Sequence, residues 1–263
     1  MDRDYENGTF IPGAADYAPR WAEAAREWRE VEAAVGRARL NQPYGDGARE
    51  QFDLFYPAGQ PKGLFVFVHG GYWMAFDRSS WSHFTRGATE AGWVVAVPSY
   101  TLAPEARISQ MTAQIGAAVE AAAAQVPGPI VLAGHSAGGH LVARMSSAAG
   151  PLNADVAGRL RRVMPISPLS DLRPFLGLSM NETLGLDAAE AEVESPLLQQ
   201  QGPAPVTVWV GAEERPVFLD QARWLAEAWP RADLRIAPGR HHFDVIDELG
   251  EADSPLMRAL LVE

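Results

Sequence analysis

Short apolar runs alternate with amphipathic segments through most of the chain, and no other feature restricts its fold so tightly. GLFVFV near 63, WVVAV near 93, PIVLA near 129 and VTVWV near 206 are unbroken apolar runs, the pattern of strands buried on both faces. RRVMPI near 161 and DLRIA near 233 are weaker versions of the same. Between them lie helix candidates over 79–90, 107–126, 136–149, 215–229 and 253–261, preceded by an amphipathic helix from Pro19 to Val35. Strands separated by helices pair in parallel through right-handed crossovers. The expected fold class is therefore α/β, a mostly parallel central sheet with helices on both faces. QFDLFY, which follows the turn residues NQPYGDG, fits a half-exposed antiparallel strand. With no internal repeat and no dividing linker, 1–263 reads as a single domain. The stretch 167–201 lacks a clear strand and is expected to form a small cap or insertion over the active edge.

Charge narrows the partners. The chain has 22 Lys and Arg against 33 Asp and Glu, a net charge of −11, and no basic run. Such a surface repels phosphate backbones and anionic headgroups, which argues against nucleic acid and membrane partners. A small-molecule substrate is expected, and a homodimer is left open. The absence of cysteine excludes disulfides, thiolate metal sites and a cysteine nucleophile. The start MDRDYENGTFIPG has no signal-peptide pattern, and no apolar stretch approaches the roughly 18 residues that span a bilayer, so the cytoplasm is the expected compartment.

Residues 134–138 read GHSAG directly behind PIVLA. A random chain of this composition would carry G-x-S-x-G roughly one time in ten, so the motif counts only through its context. Here Ser136 falls where a strand ends and a helix begins, at the carboxyl edge where open α/β sheets bind ligands. A serine on such a corner is strained and needs small neighbours, which Gly134, Ala137 and Gly138 supply; the corner is expected to push its Oγ into solvent. A serine hydroxyl needs a base. Of six histidines, His241 and His242 follow the last strand, where this topology places the base. The loop after VTVWV offers Glu213 and Glu214 as the carboxylate that would hold the imidazole. HGGYW at 69–73 follows GLFVFV, and its glycines let backbone N–H groups turn toward the site. An oxyanion hole from the N–H groups of Gly71, Tyr72 and Ala137 is expected.

These residues carry a resemblance. HGGYW at 69–73, YTLAPE at 100–105, GHSAGGHL at 134–141, SPLSDLRP at 167–174 and HHFDVIDEL at 241–249 make the chain similar to α/β-hydrolases of the kynurenine formamidase (arylformamidase) group and the esterases beside it. The resemblance implies Ser136 as nucleophile, His242 as base and Glu214 as acid, with no cofactor and no metal. Glutamate departs from the commoner aspartate at that slot, which keeps Glu213 in competition. Tyr72, Trp73 and Phe243 are expected substrate contacts. The implied chemistry is transfer of a formyl or short acyl group from an arylamide or ester to water. A short-chain carboxylesterase and a non-catalytic hydrolase-like binding protein are the alternatives. A metalloprotease-type site is disfavoured because no H-E-x-x-H occurs.

Overall fold

The computed structural model describes residues 2–261. Eight strands form one sheet: β1 Ala38–Pro43, β2 Gln51–Phe55, β3 Leu64–Val68, β4 Val94–Pro98, β5 Ile130–His135, β6 Leu160–Ile166, β7 Val206–Gly211 and β8 Ala232–Ala237. Their order is β1-β2-β4-β3-β5-β6-β7-β8. The six strands from β4 to β8 pair in parallel, whereas β2 runs antiparallel to both β1 and β4.

Alternate side chains of a strand point to opposite faces, and each face here has its own core. Leu64, Val66 and Val68 of β3 pack with Ile108, Leu141 and Phe218 from the helices Ile108–Gln125, Ala137–Met145 and Pro216–Ala228. Phe65 and Phe67 pack on the other side with Trp21, Trp81 and Met257. The helices Ala14–Ala34 and Pro255–Leu260 cover that face. This double cover explains why the parallel strands read as continuous apolar runs.

Three local expectations are corrected. QFDLFY is buried, not half-exposed: Phe52 and Leu54 enter one core and Phe55 the other, while buried Asp53 pairs with Arg78 at 3.1 Å. The segment 79–90 is not one helix but the 3-10 turns Arg78–Ser80 and Ser82–Thr85 followed by the short helix Arg86–Glu90. It is interrupted at Trp81, whose backbone leaves the helical region at φ −124°, ψ 1° and whose ring is buried, 4.8 Å from that of Trp21. The long helix begins at Ala14, with Pro19 inside it, and is preceded by a short helical turn at Asp2–Tyr5 and a 3-10 turn at Gly8–Phe10.

Residues 167–201 contain only short turns of helix, including Ala188–Glu194. A buried ion pair between Arg144 and Glu194, 3.1 Å apart, fastens that helix to Ala137–Met145. Glu194 also accepts from the Thr112 hydroxyl at 2.7 Å. No helix among the described residues is long and apolar enough to cross a membrane.

Candidate active site

The end of β5 is the sharpest corner of the chain. Ser136 follows at φ 56°, ψ −117°, and the helix Ala137–Met145 starts at the next residue. A non-glycine residue held there costs about 1–3 kcal/mol, so the surroundings must over-determine it. Close approach does this. A Cβ on Gly138 would lie 2.0 Å from the Val68 carbonyl oxygen, and one on Gly134 would lie 2.2 Å from that of Gly138. Only glycine lets the helix sit this tightly on β3 and β5. The Ser136 N–H donates to the Ile166 carbonyl at 2.8 Å, tying the corner to β6. Ser136 is nevertheless only 3% exposed, which corrects the expectation of a hydroxyl pushed into open solvent. It lies on the wall of a cavity of about 650 Å³ that residues of the N-terminal segment also line.

His242 lines the same cavity. Its Nδ1 lies 2.6 Å from Glu214 Oε2, and both side chains are buried. A carboxylate only accepts, so Nδ1 carries the proton and Nε2 is left as the basic nitrogen. Glu214 Oε1 accepts from the Gly211 N–H at 2.9 Å and from the Ser167 hydroxyl at 2.5 Å. The imidazole is flanked by the Phe218 ring at 4.3 Å and the His135 ring at 4.7 Å. His135 Nε2 donates to the His242 carbonyl at 2.8 Å, and burial holds its own pKa well below the ordinary histidine value, so it is neutral beside His242. The structure brings together one member of each ambiguous pair. Glu213 is exposed, and His241 is engaged by Tyr17 at 3.2 Å and Asp244 at 3.1 Å.

Beyond β3, the backbone of HGGYW is left-handed at Gly71, Tyr72 and Trp73. The N–H groups of Gly71, Tyr72 and Ala137 take part in no turn or loop bond among the described residues, and Ala137 opens a helix, whose first donors have no intrahelical partner. Gly71 and Tyr72 line the cavity with Ser136; Ala137 follows Ser136 in the chain and is fully buried. Of the expected substrate contacts, Tyr72 and Phe243 are on the cavity wall. Trp73 is not: it is fully buried, 5.7 Å from Phe175 and 5.3 Å from His140, and belongs to the core. The turn that aims one aromatic at the cavity sends the next one inward.

Several residues here escaped sequence reading. Trp21, Phe76 and Trp81 give the cavity an aromatic side next to Phe243, and Tyr5, Glu6 and Asn7 close another. Ser167, which holds Glu214, had a usable signal because it directly follows β6 at the carboxyl edge. The N-terminal residues had none.

A serine on a strand–helix corner, a carboxylate-held imidazole and a glycine turn at one sheet edge are groups that acyl hydrolases of this architecture use. A family model described as alpha/beta hydrolase fold matches residues 65–233, and the chain belongs to that family. Within it the chain is a hydrolase of the arylformamidase and esterase group. The kynurenine formamidase of Drosophila melanogaster is 31% identical over 82% of this chain and 78% of its own length. That of Danio rerio is 26% identical over 99% of this chain and 94% of its own. The crystal structure of a protein from Silicibacter sp. TM1040, suggested to be a thioesterase, is 58% identical over 98% of both chains, with a TM-score of 0.96.

Proposed function

We propose that the protein is a serine hydrolase that removes a formyl or short acyl group from an arylamide or aryl ester. Ser136 is the nucleophile, His242 the base and Glu214 the residue that fixes the imidazole tautomer. In the first step Nε2 of His242 takes the Ser136 proton as Oγ bonds to the acyl carbon. The resulting oxyanion is met by the N–H groups of Gly71, Tyr72 and Ala137, each worth roughly 3 kcal/mol when well aimed. Collapse expels the amine or alcohol, which leaves with the proton from His242. Water then attacks the acyl-enzyme by the same route and frees Ser136.

The observation that carries this reading is the 2.6 Å bond from Glu214 to His242, whose ring lines the same cavity as Ser136. An aromatic leaving group is favoured because Trp21, Phe76 and Phe243 line that cavity, and because a ring withdraws electron density from the departing nitrogen. The kynurenine formamidase relatives support the amide substrate. The thioesterase suggestion for the Silicibacter protein supports a second reading, acyl thioester or short ester hydrolysis on the same machinery.

A fluorophosphonate probe tests the nucleophile: Ser136 is labelled in the folded protein and the Ser136→Ala variant is not. Absence of labelling in the parent refutes the mechanism and leaves a hydrolase-like binding protein. Comparing kcat/KM on N-formylkynurenine, p-nitrophenyl acetate and a short acyl thioester then tests the substrate. A preference for either ester by orders of magnitude removes the formamidase reading.

A further inference from the structure

Three consecutive residues of HGGYW hold left-handed backbone: Gly71 at φ 108°, Tyr72 at 50° and Trp73 at 58°. Glycine adopts this freely, whereas two bulky aromatic residues do so only where something holds them. Each ring is anchored in a different place. Trp73 is fixed from the core side, between Phe175 and His140. The Tyr72 hydroxyl donates to the Tyr5 carbonyl and accepts from Asn7 Nδ2 at 3.1 Å. Both partners are buried, Tyr5 at 3% and Asn7 at 5% exposure.

The N-terminal segment is itself secured. Gln221 Nε2 donates to the Tyr5 hydroxyl at 3.1 Å, the Tyr5 ring lies 4.7 Å from Phe175, and the Ser179 N–H donates to Asp2 at 2.7 Å. The same segment brings Tyr5, Glu6, Asn7 and Gly8 to the cavity wall.

We infer that Tyr72 is a positioning residue whose hydroxyl, held by the segment 2–10, fixes the left-handed turn that aims the Gly71 and Tyr72 N–H groups at the acyl oxygen. This rests on the serine-hydrolase reading above. Tyr72 and Trp73 together clamp the turn from its two sides. The polar end of Tyr72 is committed to the chain itself, not to substrate. The segment that walls the cavity therefore also governs how firmly the developing oxyanion is held.

Tyr72→Phe removes the hydroxyl and keeps the ring. On p-nitrophenyl acetate it is expected to lower kcat about 10-fold or more with KM within about 3-fold, because the loss falls on the transition state. The rate of fluorophosphonate labelling of Ser136 is expected to fall by a similar factor. Asn7→Leu, which removes the other bond to Tyr72, is expected to move kcat and labelling in the same direction, and it carries the test should Tyr72→Phe fail to fold. Amide hydrogen exchange across 71–75 is expected to quicken in both variants. A rise in KM alone overturns the inference in favour of a substrate contact, and unchanged kcat and labelling overturn it outright. Unchanged exchange across 71–75 refutes the clamp whatever happens at Ser136. A parent protein that is never labelled, yet shows quickened exchange in the variants, refutes the serine chemistry and leaves the clamp standing.

Discussion

Replacing Glu214 by glutamine keeps the volume of the side chain and changes only what it can accept. Oε1 takes two donors, the Ser167 hydroxyl and the Gly211 N–H, and Oε2 takes His242 Nδ1–H. An amide cannot accept on both sides. The orientation that preserves more bonds puts the carbonyl oxygen toward Ser167 and Gly211 and the NH2 toward His242. Nδ1 must then accept, the ring proton moves to Nε2, and the nitrogen that should receive the Ser136 proton is already protonated. The flipped amide restores the tautomer but leaves the buried Gly211 N–H facing another donor, at a cost of about 1–3 kcal/mol. That confines the competent orientation to roughly 1–15% of molecules. Loss of the full negative charge beside the imidazolium adds to this, and an amide at the equivalent place in a serine protease triad lowers kcat about 10⁴-fold. Together these give an expected fall of about 10³- to 10⁴-fold, or roughly 4–5.5 kcal/mol of barrier. The assay is steady-state p-nitrophenyl acetate hydrolysis near neutral pH, with folding checked by circular dichroism. A folded Glu214→Gln variant whose kcat stays within about 10-fold of the parent refutes the tautomer reasoning. Glu214→Asp draws the carboxylate back by about 1.5 Å, beyond hydrogen-bond reach of Nδ1, and is expected to lower kcat as well.

Acid should unfold the protein early. Burial lowers the pKa of His69 and His140 to about 4, and both are fully buried. Between the unfolded value near 6.5 and pH 4 the unfolded chain binds more protons, so their stabilising contribution is complete above pH 6.5 and is lost as pH falls through that window. For two such groups the slope is about 2–3 kcal/mol per pH unit near pH 5. Asp247, raised to about 6 by desolvation and then by Asp244, and buried Asp53, raised by desolvation, oppose this. Urea midpoints that stay flat from pH 7 to 4.5 contradict the assignment. Gly138→Ala would force a methyl against the Val68 and His69 carbonyls, so a melting point matching the parent's would contradict the packing described here; a loss of about 1–3 kcal/mol or more is expected, together with slowed labelling of Ser136. Trp73→Ala is expected to cost about 3–5 kcal/mol of stability, whereas Phe243→Ala, which removes a half-buried ring packed on Tyr17 and Trp21, costs less and raises KM; a shared KM effect would return Trp73 to the cavity.

Strands β3, β4, β5 and β7 were legible because burial on both faces leaves almost no polar position to blur the runs. β1 was not, since ARLNQP lies at the sheet edge with every second residue exposed, and its register shifts between Arg39 and Gln42, around the left-handed Asn41. At the site, Ser136 was readable because a strand–helix corner has a local signature in small residues. Glu214 and Glu213 could not be separated locally, because burial decides between them and adjacent residues look alike in sequence. Trp73 was misplaced for a related reason: one positive φ too many turns a neighbour of the cavity into part of the core. The contacts of Tyr72 with Tyr5 and Asn7 join positions more than sixty residues apart and leave no trace in spacing.

The groups the proposed chemistry needs hang from the tips of β3, β5, β6 and β7 and from the loop after β8. None of these tips is useful until its neighbours have docked in step, as Val68 beside Gly134 and His135 beside Ile166 have. A shift of one pleat repeat would displace a tip by about 6.6 Å, more than twice a hydrogen bond. Turnover is thus a late reporter of maturation: in a refolding time course it should appear only after backbone signals have levelled off.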